Sequence, residues 1–344
     1  MSVPRLERVQ IRPLDPTDDA RMDAWHATYA VAHAYGLEHA APWTREEMRA
    51  QLLHPRAGER VEAFAGYDGD ALVCTGMITF PLMDNLHIAH VDLATHPVHR
   101  RRGHGTAMLE HLAALAVADG RTTLNADAEW PYSAPADGSG TPNTDFLTAR
   151  GFAFSLGDVK RALDVPLDDD LLARLAADVA PYHQGYELRR FAGPVPEDIV
   201  TSFGSLVGSL MSEAPMGDLD LEPEVFDATR IRDDEKVFAA SGRTKYTTVA
   251  IAPGGDVVAY SELVVPSFDP GHVFQWGTLV RAEHRGHRLG LATKVHNLQF
   301  LQQHLDHPRV LFTYNAEVND HMIAVNELLG FRPVERLGEF QKKL

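Results

Sequence analysis

The chain of 344 residues reads as one order of elements written twice. It starts with a short strand pattern, Val9-Gln10-Ile11-Arg12-Pro13-Leu14, and a helix entry at Asp15-Pro16-Thr17-Asp18-Asp19. The same entry recurs at Tyr186 to Phe191 followed by Pro196-Glu197-Asp198, with Ile11 and Leu188 corresponding at a distance of 177 residues. A Gly-Phe pair closes a helix at Gly151-Phe152 and again at Gly330-Phe331, 179 residues later. Two turns rich in Arg, Gly and His, at 100–105 and 285–290, lie 185 residues apart. Three landmarks in one order, with offsets that drift by a few residues, define a tandem duplication. At 44% hydrophobic and 23% charged residues, the chain carries enough apolar material for two cores. The expected division is a first domain over 1–166, a linker helix over 167–184 and a second domain over 185–344.

Each copy shows the same coarse pattern. In the first, strands at Arg60 to Tyr67 and Ala71 to Phe80 meet at Asp68-Gly69-Asp70, a hairpin signal. A strand at Leu86 to Thr95 follows, then a helix at Thr106 to Ala118 with apolar residues at helical spacing. In the second copy, strands at Tyr246 to Ala252 and Val257 to Val265 flank Gly254-Gly255. A strand at Val273 to Val280, a helix over 291–303, a strand at Val310 to Tyr314 and a helix at Asp320 to Leu329 complete it. The order predicts an α/β fold with a mixed sheet in each copy.

Charge and cysteine usage narrow the function. The 32 basic residues against 48 acidic ones leave a net charge of −16, which disfavours a protein that neutralises nucleic-acid phosphates. The one cysteine, Cys74, excludes a disulfide framework and a thiolate zinc cluster. The 18 histidines include pairs spaced by three, but no His-Glu-x-x-His occurs, and no metal is expected. The charged start lacks a signal peptide's apolar run, and no stretch is long and apolar enough to cross a membrane. The expectation is a cytoplasmic protein with a small-molecule partner, neither a nucleic-acid nor a membrane partner, and a monomeric or homodimeric state.

The segment Val91 to Thr106 carries most of the chemical information. A strand runs into a proline-bearing turn, three arginines, and two glycines that open a helix. Such a turn gathers backbone N–H groups at the positive end of a helix dipole, and glycine lets a phosphate approach closely. The residues of this cradle are Arg100, Arg101, Arg102, Gly103, His104, Gly105 and Thr106. Neither a P-loop nor a G-x-G-x-x-G fingerprint is present.

Arg100-x-x-Gly103-x-Gly105 after a strand resembles the acyl-CoA signature of the GCN5-related N-acetyltransferases, the GNAT superfamily. Arg285-Gly286-His287-Arg288-Leu289-Gly290 in copy two resembles it as well, and a shifted frame, His287-x-x-Gly290-x-Ala292, is an alternative alignment. Asn319 followed by a helix ending in Leu329-Gly330-Phe331 resembles the family's second signature. The tandem arrangement is similar to that of mycothiol synthases. The resemblance implies two GNAT (acyl-CoA N-acyltransferase) domains, with acetyl-CoA as co-substrate. The strand before each cradle should splay from its neighbour, freeing N–H groups near Leu93, Ala94 and Thr95, and near Leu279 and Val280. These would hold pantetheine and polarise the thioester, with Gly290, Leu291, Ala292 and Asn319 completing the second cofactor site.

The sequence also departs from the pattern. The family's acid, a tyrosine on the last helix, is replaced by Leu147 in copy one and Asn326 in copy two. Arg288 stands where a glycine is expected. Copy one keeps the better pyrophosphate loop and copy two the better final helix motif, so one domain is expected to be catalytic and the other structural. Acidic residues outnumber basic ones over 213–235, which either draws an amine cation or is a solvated surface. The expectation favours copy two as the catalytic one. Base candidates are His90 and Asp92, which share a sheet face and either act on substrate or pair with each other or an arginine, and Glu262 in an apolar strand. The resulting expectation is an N-acetyltransferase that acylates a primary amine of a small cationic acceptor by direct attack. A CoA-binding sensor or assembly module, an acyltransferase acting on a protein lysine, and one using a longer acyl-CoA remain the alternatives.

Overall fold

The computed structural model describes residues 9–213 and 217–344. The first copy runs β1 (Gln10–Pro13), α1 (Asp19–His33), α2 (Arg45–Leu53), β2 (Glu59–Asp68), β3 (Ala71–Pro81), β4 (Ile88–Thr95), α3 (His104–Ala118), β5 (Thr123–Pro131), α4 (Pro142–Thr148) and β6 (Ala153–Val165). Helix α5 (Asp169–Val179) follows, within the expected linker. The second copy begins β7 (Glu187–Ala192), α6 (Val200–Gly208), α7 (Leu210–Glu213) and α8 (Ala228–Ala240). It continues β8 (Arg243–Ile251), β9 (Val257–Pro266), β10 (His272–Val280), α9 (Leu289–Gln302), β11 (Arg309–Ala316), α10 (Asp320–Leu329) and β12 (Arg332–Lys343). Apart from the short α7, the two copies repeat one order.

Local chemistry fixes the helix starts. The Asp18 side chain accepts from the Arg21 amide, and Thr44 with Glu47 forms a capping box on α2. Asp168 caps α5 and Asp227 caps α8 in the same way. The helices after the two cradles start at His104 and Leu289, two residues earlier than expected, because left-handed residues at 103 and 288 end the turns there.

The chain forms two compact units. One holds residues up to Ser155 together with Gly338–Leu344, and the other holds Leu156–Leu337. In the first unit the strand order is β1-β2-β3-β4-β5, with the end of β12 beside β5. Pairing is antiparallel from β1 to β4 and parallel between β4 and β5. One face packs under α3, where Phe80, Val91, Met108, Leu112 and Phe340 are buried. The other packs under α1 and α2, around Met22, Trp25, Tyr29 and Met48. In the second unit the order is β7-β8-β9-β10-β11-β6, with only β10 and β11 parallel. The compact units therefore do not coincide with the sequence repeats: the final strand of the second repeat ends in the first unit. Among the described residues no helix is long and apolar enough to cross a membrane.

Candidate active site

In the first unit, β4 keeps both neighbours only as far as His90. Its parallel pairing with β5 joins Ile88 to Thr123, Ala89 to Leu124 and His90 to Asn125, then stops. Pairing with β3 on the other side continues to Thr95. Beyond His90 the β5-facing edge through Asp92, Leu93, Ala94 and Thr95 therefore presents main-chain polar groups with no ladder partner. The expected splay is present.

The chain leaves β4 through a single 3-10 turn, Pro97–His99, and then passes an extended Arg100. Arg101 (φ 65°) and Gly103 (φ 89°) are both left-handed. Gly103 caps α3 without any side-chain hydrogen bond, so the first-turn N–H groups face outward at the positive end of the helix. No heavy atom lies within 4 Å of where a Cβ on Gly103 would stand. Arg101, Arg102 and Gly103 are exposed. Arg100 is not free: its guanidinium donates to the Thr95 carbonyl at 3.2 Å and the Ala32 carbonyl at 3.3 Å, over the Tyr35 ring. It braces the turn, leaving its two neighbours to meet a phosphate. Gly105 is needed for space, since its Cβ would stand 3.0 Å from Thr95 Oγ1 and 3.4 Å from the Phe146 ring. Thr106 Oγ1 accepts from Arg150, which stacks on Phe146. His104 is buried 3.7 Å from Asp68, and burial outweighs that carboxylate to hold the imidazole below its ordinary value.

His90 and Asp92 share the face covered by α1, but no hydrogen bond joins them. Asp92 Oδ1 instead lies 3.2 Å from Nε2 of His33, in the last turn of α1. Burial works against a charged His33, yet the charge and hydrogen bond of Asp92, helped by Glu129, outweigh it and raise the imidazole above its usual value. Crowding alone holds His90 below it, although the ring keeps exposed surface. The sequence reading missed His33, because nothing local couples it to a residue 59 positions away. Burial pushes the Cys74 thiol up to about 12, which makes it a poor nucleophile.

The second unit repeats this backbone with other side chains. β10 pairs with β11 through His272, Val273 and Phe274 and then leaves it, with a bulge against β9 between Gln275 and Thr278. A 3-10 turn at Ala282–His284 leads to an extended Arg285 and left-handed Gly286 (φ 86°) and Arg288 (φ 52°). Residues 285–290 thus match 100–105 position by position, and the shifted frame from His287 to Ala292 is not the structural one. Glycine and arginine have exchanged places: Arg101 and Gly103 in one unit correspond to Gly286 and Arg288 in the other.

The side chains of the second cradle engage the unit itself. Arg288 lies 3.8 Å over the Tyr182 ring, His287 Nδ1 is 3.1 Å from the Tyr182 carbonyl, and Arg285 donates to Glu213 at 2.5 Å. The nearest atom to a Cβ on Gly290 would be Val280 Cγ2 at 3.6 Å. Leu279, Leu291 and Ala292 are core residues, and Val280 packs on a further cluster. Asn319 is the helix cap of α10, its side chain accepting from the Met322 amide at 3.2 Å. Asn326, at the tyrosine position, accepts from the buried Lys294 ammonium at 2.6 Å and donates to Asn315 at 2.5 Å. Burial, reinforced by Arg161, holds Lys294 down at about 7.

Glu262 is buried and accepts from Lys245 Nζ at 3.1 Å, while Phe238 and Trp276 lie over that ammonium. It is the partner of a fixed cation rather than a free base. Much of the acidic 213–235 stretch is likewise engaged: Glu213 pairs with Arg285, Glu224 with Arg230, Glu235 with Arg232 and Asp233 with Lys236.

Residues 25–129 match the Acetyltransferase (GNAT) family. Nearly the whole chain is similar to a solved tandem GNAT protein from the clavulanic acid biosynthesis pathway, at 27% identity and a TM-score of 0.80, covering 97% of this chain and 98% of that one. It also shares its fold with a GCN5-related N-acetyltransferase from Sphaerobacter thermophilus, at 14% identity and a TM-score of 0.62, covering 99% and 97% of the two chains. A putative acetyltransferase from Pyrococcus horikoshii is similar at 14% identity and a TM-score of 0.55, covering 98% of this chain and 90% of that one. None of the curated proteins matches the chain. With a splayed strand and a glycine-and-arginine cradle built twice, and the GNAT family's sequence over residues 25–129, the chain carries a GNAT domain in its first unit and is similar over nearly its whole length to a tandem GNAT protein, which supports acyl transfer as its general chemistry.

Proposed function

We propose that the chain transfers an acetyl group from acetyl-CoA to the primary amine of a small cationic acceptor, and that the first unit is where this happens. The carrying observation is that β4 leaves β5 after His90 directly before an uncapped helix N-terminus with open space at Gly103. Arg101, Arg102 and the amides of α3 would hold the pyrophosphate. The freed edge of β4 would donate to the thioester oxygen as charge develops there, each donor contributing about 3 kcal/mol. The acceptor nitrogen attacks the carbonyl carbon directly, since the one thiol of the chain is buried and held protonated.

The second unit serves as structure in this reading. Its cradle arginines are engaged by Glu213 and Tyr182, and Lys294 and Asn315 occupy Asn326 where the family's acid stands. This reverses the preference for copy two that its acidic stretch and helix motif suggest in sequence. Calorimetric titration with acetyl-CoA tests it. Gly103→Glu puts a negative charge in the first cradle and should abolish binding, whereas Gly290→Glu should leave one bound molecule per chain. Loss with Gly290→Glu alone would transfer the site to the second unit.

One observation favours a second reading. Leu147 is buried at the tyrosine position of the first unit, so neither copy offers the family's acid to the leaving thiolate. A CoA sensor would bind acetyl-CoA equally well and release no thiol with any amine.

A further inference from the structure

We propose that His33, held by Asp92, is the base that takes the acceptor's proton in the first unit. The inference rests on the acyl-transfer reading above and assigns a role to a helix outside the family's cofactor signature. Asp92 stands on β4 just past the last residue paired with β5, so its carboxylate borders the freed edge that would face the thioester. His33 reaches that carboxylate from α1 with Nε2, at 3.2 Å. Its other ring nitrogen, Nδ1, has no partner among the described residues, and the side chain is 34% exposed. A carboxylate that fixes one imidazole nitrogen and leaves the other open sets both tautomer and direction for a base. The Tyr29 ring, 4.2 Å from the imidazole, holds its plane.

The step balances without a further reactant. The acceptor's ammonium gives one proton to His33 Nδ1, while the Nε2 proton stays with Asp92. The freed amine attacks the thioester carbonyl carbon, a C–N bond forms and the C–S bond breaks. The thiolate leaves with the pair from that bond and takes the second proton lost by the attacking nitrogen. His33 then returns its proton to water.

The groups facing His33 set the sign of its pH dependence. Asp92 on β4 and Glu129 on β5 favour the protonated imidazole, whereas Arg100 in the turn opposes it. Tyr29 is the titratable neighbour on the same helix. From β3, packed against α1, the one titratable side chain is the buried Cys74. On α2, Arg45 is bound to Asp19 and Asp23, and Arg49 to Asp19, at the opposite end of α1. A raised His33 places the acid limb of the rate above the ordinary histidine value, and Asp92→Asn should move that limb to lower pH.

The test measures thiol release from acetyl-CoA with two nucleophiles, propylamine, which is an ammonium at pH 7, and hydroxylamine, which is largely neutral there. For His33→Gln the expected result is a fall of about 10²- to 10³-fold with propylamine and little change with hydroxylamine. Acetyl-CoA binding by calorimetry should be unchanged, which also reports a folded variant. An equal fall with both nucleophiles, or no fall, would overturn the role of His33 while leaving acyl transfer intact. So would an acid limb unmoved by Asp92→Asn. A wild type that binds acetyl-CoA and releases no thiol overturns transfer and base together in favour of the sensor. A wild type that does not bind it removes the acetyl-CoA reading as well.

Discussion

Gly103 and Arg288 occupy the same left-handed position before the cradle helices, and their difference has measurable weight. At φ 89° a Cβ on Gly103 meets no atom but is penalised by the backbone itself, so Gly103→Ala should cost about 1 kcal/mol in a urea melt. Gly290 has ordinary helical geometry and a neighbour at 3.6 Å, and Gly290→Ala should fall within about 0.5 kcal/mol of wild type or above it. Lys294 makes a prediction in pH. Burial lowers its folded value to about 7 from 10.5, so between those values the unfolded chain binds the extra proton. The second unit should gain stability as pH rises through that window, because the sign follows the unfolded state's greater proton uptake. Lys294→Met should flatten that slope, as read by thermal melts across pH 7 to 10.

Helix α6 shows how an element is placed by what it lacks. A Cβ on Gly204 would stand 2.5 Å from the Phe226 carbonyl oxygen, and one on Gly208 2.9 Å from the Glu224 carbonyl oxygen. Two glycines one turn apart let the 224–226 segment lie directly on the helix. Gly204→Ala should therefore cost about 1–3 kcal/mol and raise amide exchange in α6. Elements of this kind also show what linear reading reaches. The β2–β3 hairpin was legible because Asp68-Gly69-Asp70 supplies a left-handed glycine (φ 60°) between apolar runs. The cradles were legible because their chemistry is contiguous. Strand β5 was overlooked although Leu124, Ala126, Ala128 and Trp130 alternate with polar residues, a period-2 signal that the neighbouring Pro/Gly-rich loop obscured. Strand β12, charged along much of its length, gives no such signal. The His33–Asp92 pair joins elements 59 residues apart, so no local pattern could pair them, whereas Lys245–Glu262 spans the β8–β9 hairpin and depended on its register.

The division into units assigns the last residues of the chain to the first unit. Phe340 is buried in its core, Gln341 donates to Asn125 at 3.0 Å, and Lys343 to Thr123 at 3.0 Å. Asn125 is also the last β5 partner of β4 before the splay. Deleting 338–344 should therefore lower the melting temperature of the first unit and weaken acetyl-CoA binding, while the second unit keeps its core; differential scanning calorimetry with titration separates the two. For the same reason a fragment over 1–166 should be poorly soluble until a peptide covering 332–344 is supplied. Synthesis gives this arrangement a temporal meaning. The ribosome makes the first unit's helices and five of its strands early, but the strand end that borders β5 is translated only after residues 156–337. The proposed cofactor site is therefore finished only after the second unit has been synthesised, and a product that stops before it would carry the cradle without the support of its sheet.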